Sequence, residues 1–331
     1  MMKDYKIRIK LKSAFGTPWQ SDTIFGHLCW QVAYGVLDLT IEEFLKPFLE
    51  GNPPFILSDG FPVIIDEKNK EINEEISTVP KPLLKMPPME IEDVNDYRMG
   101  KKRKKSPYLS IDDFLKLRRG EILNAEPLDD PWELNITSHA SLDRNSFTTG
   151  DSGEGGFYDT EEYVLPQKEK YRHIEPAVEI YLRVEDGWVE RVGKLFEGLS
   201  TVGYGRDKSV GLGVFKMDGI TEFDGFADFE GANGFISLST MVPAESDPTD
   251  ARYRLRVKYG KVGEGAFISV DDEGQINPFK RPLLQMEPGA VFRVDGGIKP
   301  FYGRMVKDVV HGRENIVQNC YSLAVPCIVG D

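Results

Sequence analysis

The chain has 331 residues, of which 40% are hydrophobic and 29% are charged, and its formal net charge is −13 at pH 7. This length predicts two domains of a soluble globular protein, and no apolar run reaches the roughly 18 residues that a membrane span needs. The acidic balance argues against a protein that coats nucleic acid non-specifically. A local basic groove is still compatible with it, because salt screens distant charges.

Cysteine usage and the N-terminal sequence indicate the compartment. Cys29, Cys320 and Cys327 lack CxxC spacing, which is typical of a reducing cytoplasm and argues against a zinc cage. The N-terminus alternates polar and apolar residues without a signal-type apolar core, so we expect a cytoplasmic protein.

The first predicted element is a strand over Tyr5–Leu11, where apolar and basic residues alternate strictly. One face would enter a core. The other face carries Lys6, Arg8, Lys10 and Lys12. We interpret most of these cations as a solvated sheet face.

A helix follows, with Ser21 as its predicted N-cap and Asp22 in its first turn, where the macrodipole favours an anion. Gly26 lies inside this helix at a cost of about 1 kcal/mol relative to alanine, which indicates close packing or the close approach of a ligand. His27 has two interpretations: a general acid or base for strand cleavage, or a residue that caps, packs or contacts a phosphate.

The next elements are a second short helix over Leu39–Glu50 and a pair of strands over Phe55–Ile65 that turns at Asp59-Gly60. Glu67–Gly120 has no periodicity and is predicted as an irregular insertion, which in a compact domain is usually functional or disordered. Its basic run Arg98–Lys105 is either a solvated tip or a contact for RNA or an acidic partner.

Two extended segments, Ser138–Thr148 and Phe157–Leu165, predict a hairpin across a glycine-rich tip. A strand over Ala177–Val184 and a helix over Trp188–Leu199 come next, followed by a further strand. This order, β-α-β…β-α-β over residues 1–218, is the split βαβ pattern of ferredoxin-like domains.

Residues 219–331 form a second unit that is richer in predicted strands. Its segment Arg281–Met286 echoes Lys81–Met86, since both contain Pro-Leu-Leu after a cation and end in methionine. The echo fits duplicated halves of one architecture.

The most distinctive stretch is Thr201–Phe215, in which two Gly-x-Gly pairs bracket basic and polar residues. The glycines are Gly203, Gly205, Gly211 and Gly213, and the bracketed residues include Arg206, Lys208 and Ser209. Successive backbone N–H groups in such a loop can form an anion site, and the two cations suit a phosphodiester backbone.

Two other nucleotide loops are excluded for this stretch. A Walker loop and a dinucleotide fingerprint would both need glycine at the position of Lys208, and both run from a strand to a helix. This loop is predicted to join a helix to a strand. The alternative to an anion site is a glycine C-cap followed by an ordinary turn.

Tyr204, inside the loop, is predicted either to stack on a base or to pack the loop itself. The adjacent carboxylates Asp129/Asp130 and Asp271/Asp272 lie in polar segments and are interpreted as solvated turns, not as two-metal sites.

Four segments together resemble a known family. They are FGTPWQSDTIFGHLCWQ, the proline-flanked KPLL segment, HASLDRNSFTTG…GGFY, and GLSTVGYGRDKSVGLGVF. The ordered set is similar to the RAMP proteins of CRISPR systems, in particular the Cas-five-like group that includes subunit four of type III-A Csm complexes.

This resemblance implies an α+β fold with two ferredoxin-like, RRM-related domains. The first would cover residues 1–218, with an insertion at about 67–120 and a β-hairpin thumb at about 138–165, and the second, degenerate domain residues 219–331. It also implies a non-catalytic subunit that binds the 5′ repeat-derived handle of the crRNA. The large Cas-ten-type subunit and a Csm backbone subunit are the implied partners, with no cofactor, metal or membrane.

The resemblance also implies the residues that contact RNA. They are Gln20, Ser21 and His27 in the first helix region, Lys81 as the handle-side lysine, His139 and Arg144 on the thumb strand His139–Phe147, and Gly203, Tyr204, Gly205, Arg206, Lys208, Ser209, Gly211 and Gly213 in the loop. Phosphate contacts position an RNA, whereas base contacts specify it.

A second function from a different class stays open. Related RAMP proteins are metal-independent endoribonucleases that process crRNA, and His27 lies where those relatives commonly place a general base. Two points argue against this activity. Their glycine loop usually lies near the C-terminus, in the second domain, and no tyrosine or lysine partner for His27 can be assigned.

Overall fold

A computed structural model describes residues 2–65, 75–85, 93–121, 125–141, 156–166, 175–263, 269–270, 276–277 and 279–330. Among these residues, no helix has both the length and the hydrophobicity to cross a membrane. The helices are α1 (Ser21–Ala33), α2 (Ile41–Leu49), α3 (Val94–Lys105), α4 (Ile111–Leu117) and α5 (Val189–Val202).

The strands are β1 (Met2–Leu11), β2 (Phe55–Ile65), β3 (Glu75–Pro80), β4 (Tyr108–Ser110), β5 (Glu133–Ala140), β6 (Phe157–Val164), β7 (Ala177–Glu185), β8 (Phe215–Glu222), β9 (Gly234–Ser237), β10 (Ala251–Arg252), β11 (Leu255–Lys258), β12 (Ser269–Val270), β13 (Ile276–Asn277), β14 (Leu283–Met286), β15 (Val291–Arg293), β16 (Phe301–Val306) and β17 (Gln318–Cys327).

The first sheet has six strands in the order β4-β3-β2-β7-β1-β8. Its four strands β8-β1-β7-β2 are antiparallel neighbours, and α1 and α5 follow β1 and β7 in the chain. This is the split βαβ arrangement of a ferredoxin-like domain. The α+β fold class predicted from the sequence is confirmed.

The two faces of β1 have different surroundings. Ile7, Ile9 and Leu11 are buried in the core beside α1 and α5. On the opposite face every predicted cation has an acidic partner: Lys6 with Glu179, Arg8 with Glu75 and Glu179, Lys10 with Asp218, and Lys12 with Glu175. These pairs neutralise the basic face, which supports its interpretation as an ordinary sheet surface.

The same face does not offer an open platform for bases. Tyr181 lies opposite Lys6 in the antiparallel pairing, so the two side chains share this face. Tyr181 is buried under Phe223 and Phe226, with ring centroids at 5.2 and 5.0 Å. An RNA base therefore cannot stack on this tyrosine.

The insertion is more regular than predicted. Its described residues contain β3, α3, β4 and α4, and β3 and β4 extend the first sheet. The basic run Arg98–Lys105 is helical, as part of α3. A capping box between Asp93 and Asp96 begins this helix, and the cations in its last turn lie where the macrodipole favours positive charge.

The predicted turn at Asp59-Gly60 is also wrong. Residues 55–65 form one continuous strand, β2, whose pairing with β7 shifts between Leu57 and Gly60. Such a bulge turns side chains away from the regular alternation. Here it directs Asp59 toward the second half of the chain.

The hairpin consists of β5 and β6, so its first strand begins five residues before the predicted Ser138. Residues 142–155, which include most of the predicted tip, lie outside the described residues. Phe15 and Tyr163 join the hairpin to the segment after β1 through two backbone hydrogen bonds of 3.2 and 2.8 Å and through stacked rings.

The second half is built from strands, and none of its described residues after 218 is in an α-helix. Its main sheet has the order β10-β15-β9-β17-β16. The sequence echo does not mark equivalent positions: Lys81–Lys85 has no regular secondary structure, whereas Leu283–Met286 is strand β14. Met86 lies outside the described residues.

The first turn of α1 joins the two halves. The Asp59 carboxylate accepts hydrogen bonds from the Ser21 N–H (3.0 Å), the Thr240 N–H (2.8 Å) and the Thr240 hydroxyl (2.7 Å). Beside it, Asp22 accepts from Lys258 and from the amides of Gln285 (2.9 Å) and Gln318 (2.5 Å).

The predicted N-cap is therefore wrong. Ser21 is the first helical residue, and the side chain of Gln20, at the N-cap position, makes no capping hydrogen bond. The first N–H groups of a helix have no acceptor within the helix and need one from elsewhere. Asp59 supplies one from a different strand.

We expect Asp59→Ala to lower the free energy of unfolding by about 3 kcal/mol, because it leaves three buried donors without an acceptor. Burial raises the pKa of Asp59, so a neutral replacement of the same shape is the matched control. Asp59→Asn keeps an oxygen for Ser21 and Thr240 and should cost clearly less. Urea unfolding measures both variants, and equal losses would contradict this account.

Candidate nucleic-acid interface

The glycine loop, residues 203–214, connects α5 to β8 at one edge of the first sheet. Helix α5 ends at Gly203, whose φ is 80° and whose N–H donates to the Leu199 carbonyl at 3.0 Å. A short 3₁₀ helix covers Lys208–Val210 before the chain enters β8. The predicted order of helix, loop and strand is confirmed, and so is the glycine C-cap.

The backbone of the loop is tightly bound to its own surroundings. Gly213 has a φ of 67°, and its N–H donates to the Ala14 carbonyl at 2.7 Å. The Tyr204 N–H donates to the Gly213 carbonyl at 2.9 Å, and a Cβ on Gly213 would lie 1.9 Å from the backbone carbonyl oxygen of Tyr204. A side chain therefore cannot be accommodated at this glycine.

Most backbone N–H groups of the loop have partners inside the protein, and among the described residues only the successive donors of Asp207, Lys208 and Ser209 have none, so the predicted anion site stays a prediction that is limited to these three groups. The engaged N–H groups are those of Gly203, Tyr204, Gly205, Arg206, Val210, Gly211, Leu212 and Gly213. Any phosphate contact of this loop must therefore come from these three N–H groups or from side chains.

Tyr204 is a packing residue. It is fully buried, its ring stacks on Trp19 with centroids 3.9 Å apart and 10° between planes, and its hydroxyl donates to the Pro18 carbonyl at 2.7 Å. Burial raises the pKa of Tyr204 well above its usual value. Its predicted stacking on an RNA base is wrong in this conformation, since neither ring face is accessible.

His27 holds the loop from the side of α1. Its Nε2 accepts a hydrogen bond from the Gly205 N–H at 3.1 Å, and its ring lies 5.0 Å from that of Tyr204. Burial lowers the pKa of His27 to about 4, and the charge of Lys208 contributes to the shift. Near neutral pH the imidazole is therefore uncharged, with its proton on Nδ1, because Nε2 is the acceptor.

Gly26, next to His27, is exposed, and apart from its chain neighbours and the nearby backbone of α1 no described atom lies within 4 Å of the position that its Cβ would occupy. The close-packing interpretation of this glycine is wrong. The close approach of a ligand stays a prediction.

Arg206 connects the loop to the hairpin. Its N–H donates to the Thr17 hydroxyl at 3.0 Å, and its guanidinium donates to the Glu161 carbonyl on β6. The side chain is nevertheless 43% exposed. Thr17 was missed among the predicted site residues, although it lies in the FGTPW segment.

The outer surface of the loop carries the groups that an anion could reach. Arg206, Ser209 and Gly211 are exposed, and Lys208 is half-buried beside them. A cationic side chain and a hydroxyl on one turn can bind a phosphate oxygen, each with its own donor.

Gln20 and Ser21 do not belong to this surface. Each is 5% exposed, and Ser21 is bound to Asp59 at the junction of the two halves. Their burial disfavours the predicted contact with RNA, and the Ser21 hydroxyl also donates to the Thr240 carbonyl of the second half at 3.5 Å.

The remaining predicted residues are Lys81, His139 and Arg144. Lys81 is half-buried and donates to the Arg103 carbonyl near the end of α3, and burial together with the nearby charge of Arg254 lowers its pKa. The Lys81 ammonium therefore already has a hydrogen-bond acceptor inside the protein, which disfavours its predicted contact with the handle of the crRNA. His139 lies on β5, with Nε2 2.8 Å from the Thr160 hydroxyl. Arg144 lies outside the described residues.

The hairpin also exposes apolar side chains that the motif analysis missed. Leu134 and Ile136 on β5 and Phe157 and Tyr158 on β6 are about half exposed or more, and Phe157 reaches 81%. Exposed apolar groups on a protruding ribbon are typical of a contact surface.

No protein-family model and no curated protein sequence matches this chain. Solved structures do match it over nearly its whole length. A chain of the Csm1-Csm4 cassette in complex with cA4 is 17% identical, with a TM-score of 0.58, over 99% of this chain and 98% of that one. A chain of the cassette in complex with AMPPNP is 18% identical, with a TM-score of 0.56, over 98% of both chains.

A chain of the Csm3-Csm4 subcomplex in the type III-A CRISPR-Cas interference complex is 15% identical, with a TM-score of 0.50, over 98% of this chain and 99% of that one. The chain therefore has the fold of a component of these Csm assemblies. Csm4 is the subunit that both assemblies contain. The predicted likeness to subunit four of Csm complexes is thereby confirmed at the level of the fold.

The low pKa of His27 predicts a pH dependence of stability. The unfolded chain protonates His27 below about pH 6.5, whereas the folded chain accepts this proton only near pH 4. The free energy of unfolding should therefore fall as pH falls through this window and stay level above it, with a total effect of roughly 3 kcal/mol.

Urea unfolding of the wild type and of His27→Gln at several pH values measures this effect. Gln carries no titrating group, so its stability should fall less between pH 6.5 and 4. Identical pH profiles for the two proteins would rule out the buried, neutral histidine.

Proposed function

We propose that this chain is the Csm4-type subunit of a type III-A CRISPR effector complex in the cytoplasm and that it binds the 5′ repeat-derived handle of the crRNA. The observation that carries the proposal is the likeness, over nearly the full length, to chains of two assemblies whose common component is Csm4. The proposed protein partners are a large Cas-ten-type subunit and a Csm backbone subunit.

The geometry of the glycine loop supports an RNA-binding role. The loop is held from three sides, by His27 on α1, by Ala14 after β1 and by Glu161 on β6. A loop with fixed backbone presents Arg206, Lys208 and Ser209 at constant positions. Such preorganised cations lose little freedom when they bind a phosphate.

The hairpin supports a role in assembly. It protrudes beside the loop, and Arg206 bonds to its second strand. A guide strand that crosses the loop would therefore meet the base of the hairpin. The exposed apolar side chains of the hairpin suit a neighbouring protein subunit better than solvent.

We further propose that the chain is not a nuclease. The endoribonuclease alternative requires a histidine that takes a proton from a 2′-hydroxyl. Nε2 of His27 already accepts the Gly205 N–H, and Nδ1 carries the proton. This arrangement favours a positioning role for His27 over a general-base role.

The RNA-binding site is tested with Arg206→Ala in the full chain. We expect weaker binding of a labelled single-stranded crRNA, to a similar extent for unrelated sequences, and a salt slope that is shallower by about 0.7, because one single-strand phosphate contact is lost. Arg191→Ala is the matched control, since Arg191 is an exposed arginine on α5 that stacks on Trp188. Equal salt slopes for both variants and the wild type would remove Arg206 from the site.

The non-catalytic proposal is tested by incubating the full chain with repeat RNA. We expect the wild type and His27→Ala to leave the RNA intact over hours without added metal. Cleavage by the wild type that disappears in His27→Ala, while RNA binding persists, would instead establish the endoribonuclease.

A further inference from the structure

Helix α3 carries a group of exposed cations on one face. Arg98, Lys101, Lys102 and Lys105 follow the spacing i, i+3, i+4, i+7, which places them on one face of a helix. We call these four residues the cation stripe. All four are exposed, and none of α3 is buried.

The opposite face of α3 lies toward the protein. Asp96, Met99, Gly100 and Arg103 are half-buried, and Lys81 donates to the Arg103 carbonyl. At the C-terminal end, the Ser106 hydroxyl donates to the Tyr108 and Leu128 carbonyls at 2.9 and 2.7 Å. The helix is thus held in one orientation with the cation stripe outward.

The cation stripe differs from the basic face of β1 because no carboxylates of the described residues neutralise its charges. Each β1 cation has a carboxylate partner. Within the described part of the chain, no carboxylate lies within ion-pair distance of any of the four stripe residues. Like charges at these spacings repel each other by a few tenths of a kcal/mol per pair. The helix dipole favours the cations of the last turn, but collecting four cations on one exposed face adds repulsion that the helix does not need in order to form.

We propose that the cation stripe of α3 binds the phosphate backbone of single-stranded RNA. Lysine is depleted at protein–protein interfaces, whereas it binds phosphate well as a point charge, and three of the four stripe residues are lysines. Tyr97, which is half exposed, lies under the Lys101 ammonium with 4.8 Å between Nζ and the ring centroid. An exposed aromatic ring beside cations is suited to a stacked base.

The position of α3 makes this a second contact, distinct from the glycine loop. Helix α3 leads directly into β4, and the glycine loop leads directly into β8. These strands are the two edges of the six-stranded sheet, and five strand spacings separate them by about 24 Å. The stripe itself is about 10 Å long, so it can contact roughly two phosphates.

The test replaces the stripe in the full chain by Arg98→Gln, Lys101→Gln, Lys102→Gln and Lys105→Gln together. Glutamine has nearly the helix propensity of lysine, so α3 should remain helical. The matched control, which removes four exposed cations elsewhere, is Lys46→Gln, Arg191→Gln, Lys194→Gln and Lys216→Gln. Both variants change the net charge equally.

The probes are a labelled single-stranded crRNA and an unrelated RNA of the same length, titrated at several salt concentrations. For the stripe variant we expect weaker binding of both RNAs and a salt slope shallower by about 1.4 units, since each single-strand phosphate contributes about 0.7. The control variant should keep the wild-type slope. Equal slopes for the two variants would overturn the proposal.

This inference rests on the proposed RNA-binding function, and Arg206→Ala separates the two. If Arg206→Ala weakens binding and the stripe variant does not, only the stripe proposal fails. If the stripe variant alone weakens binding, the glycine-loop site fails and the stripe stands. Loss of a protein subunit from the purified complex, with unchanged RNA binding, would assign the stripe to an acidic protein partner and overturn the proposal.

Discussion

The position of α1 depends on one buried carboxylate. Asp59, turned out of β2 by a bulge, binds the N–H group at the start of α1 and two donors of Thr240 in the second half. Asp22 adds a second buried connection within the same helical turn; burial alone would raise its pKa, but Lys258 and the amides of Gln285 and Gln318 lower it. One helix end is thus fixed by both halves of the chain.

The same helix transmits that position to the candidate interface. His27 lies less than two turns beyond Ser21, and its Nε2 fixes the backbone of Gly205. The next residue, Arg206, reaches the hairpin. The stacking of the buried Trp19 ring on Tyr204 supports the loop from the side of the core. The candidate interface is therefore an extension of the core, and its glycines serve the packing of the loop.

Local patterns predicted the elements, and long-range contacts decided the exceptions. Alternation in β1 and the helix–loop–strand order at the glycine loop were visible because they depend on neighbouring residues. Asp59-Gly60 has the sequence of a turn, and only its partners Ser21 and Thr240 make it a bulge in a strand. Tyr204 could equally have faced a base until its stack on Trp19 was known.

The insertion was mispredicted for a different reason. Helix α3 buries no residue, so it has no apolar periodicity to detect. The available local signal was its capping box, in which Asp93 binds the N–H of Asp96 and Asp96 reaches back. Nothing in the sequence near Gln20 and Ser21 shows that both are buried, or that Ser21 bonds to Asp59 and Thr240.

The hydrogen bond from Arg206 to the Glu161 carbonyl couples the position of the hairpin to the binding of an anion at the glycine loop. An anion that draws the Arg206 guanidinium away from Glu161 would weaken the attachment of β6 to the loop. A neighbouring subunit that shifts β6 would in turn change the affinity of Arg206 for an anion. Thermodynamic linkage makes these two effects equal in size. Loading of a guide and recruitment of the neighbouring subunit would then be cooperative without any hinge between domains.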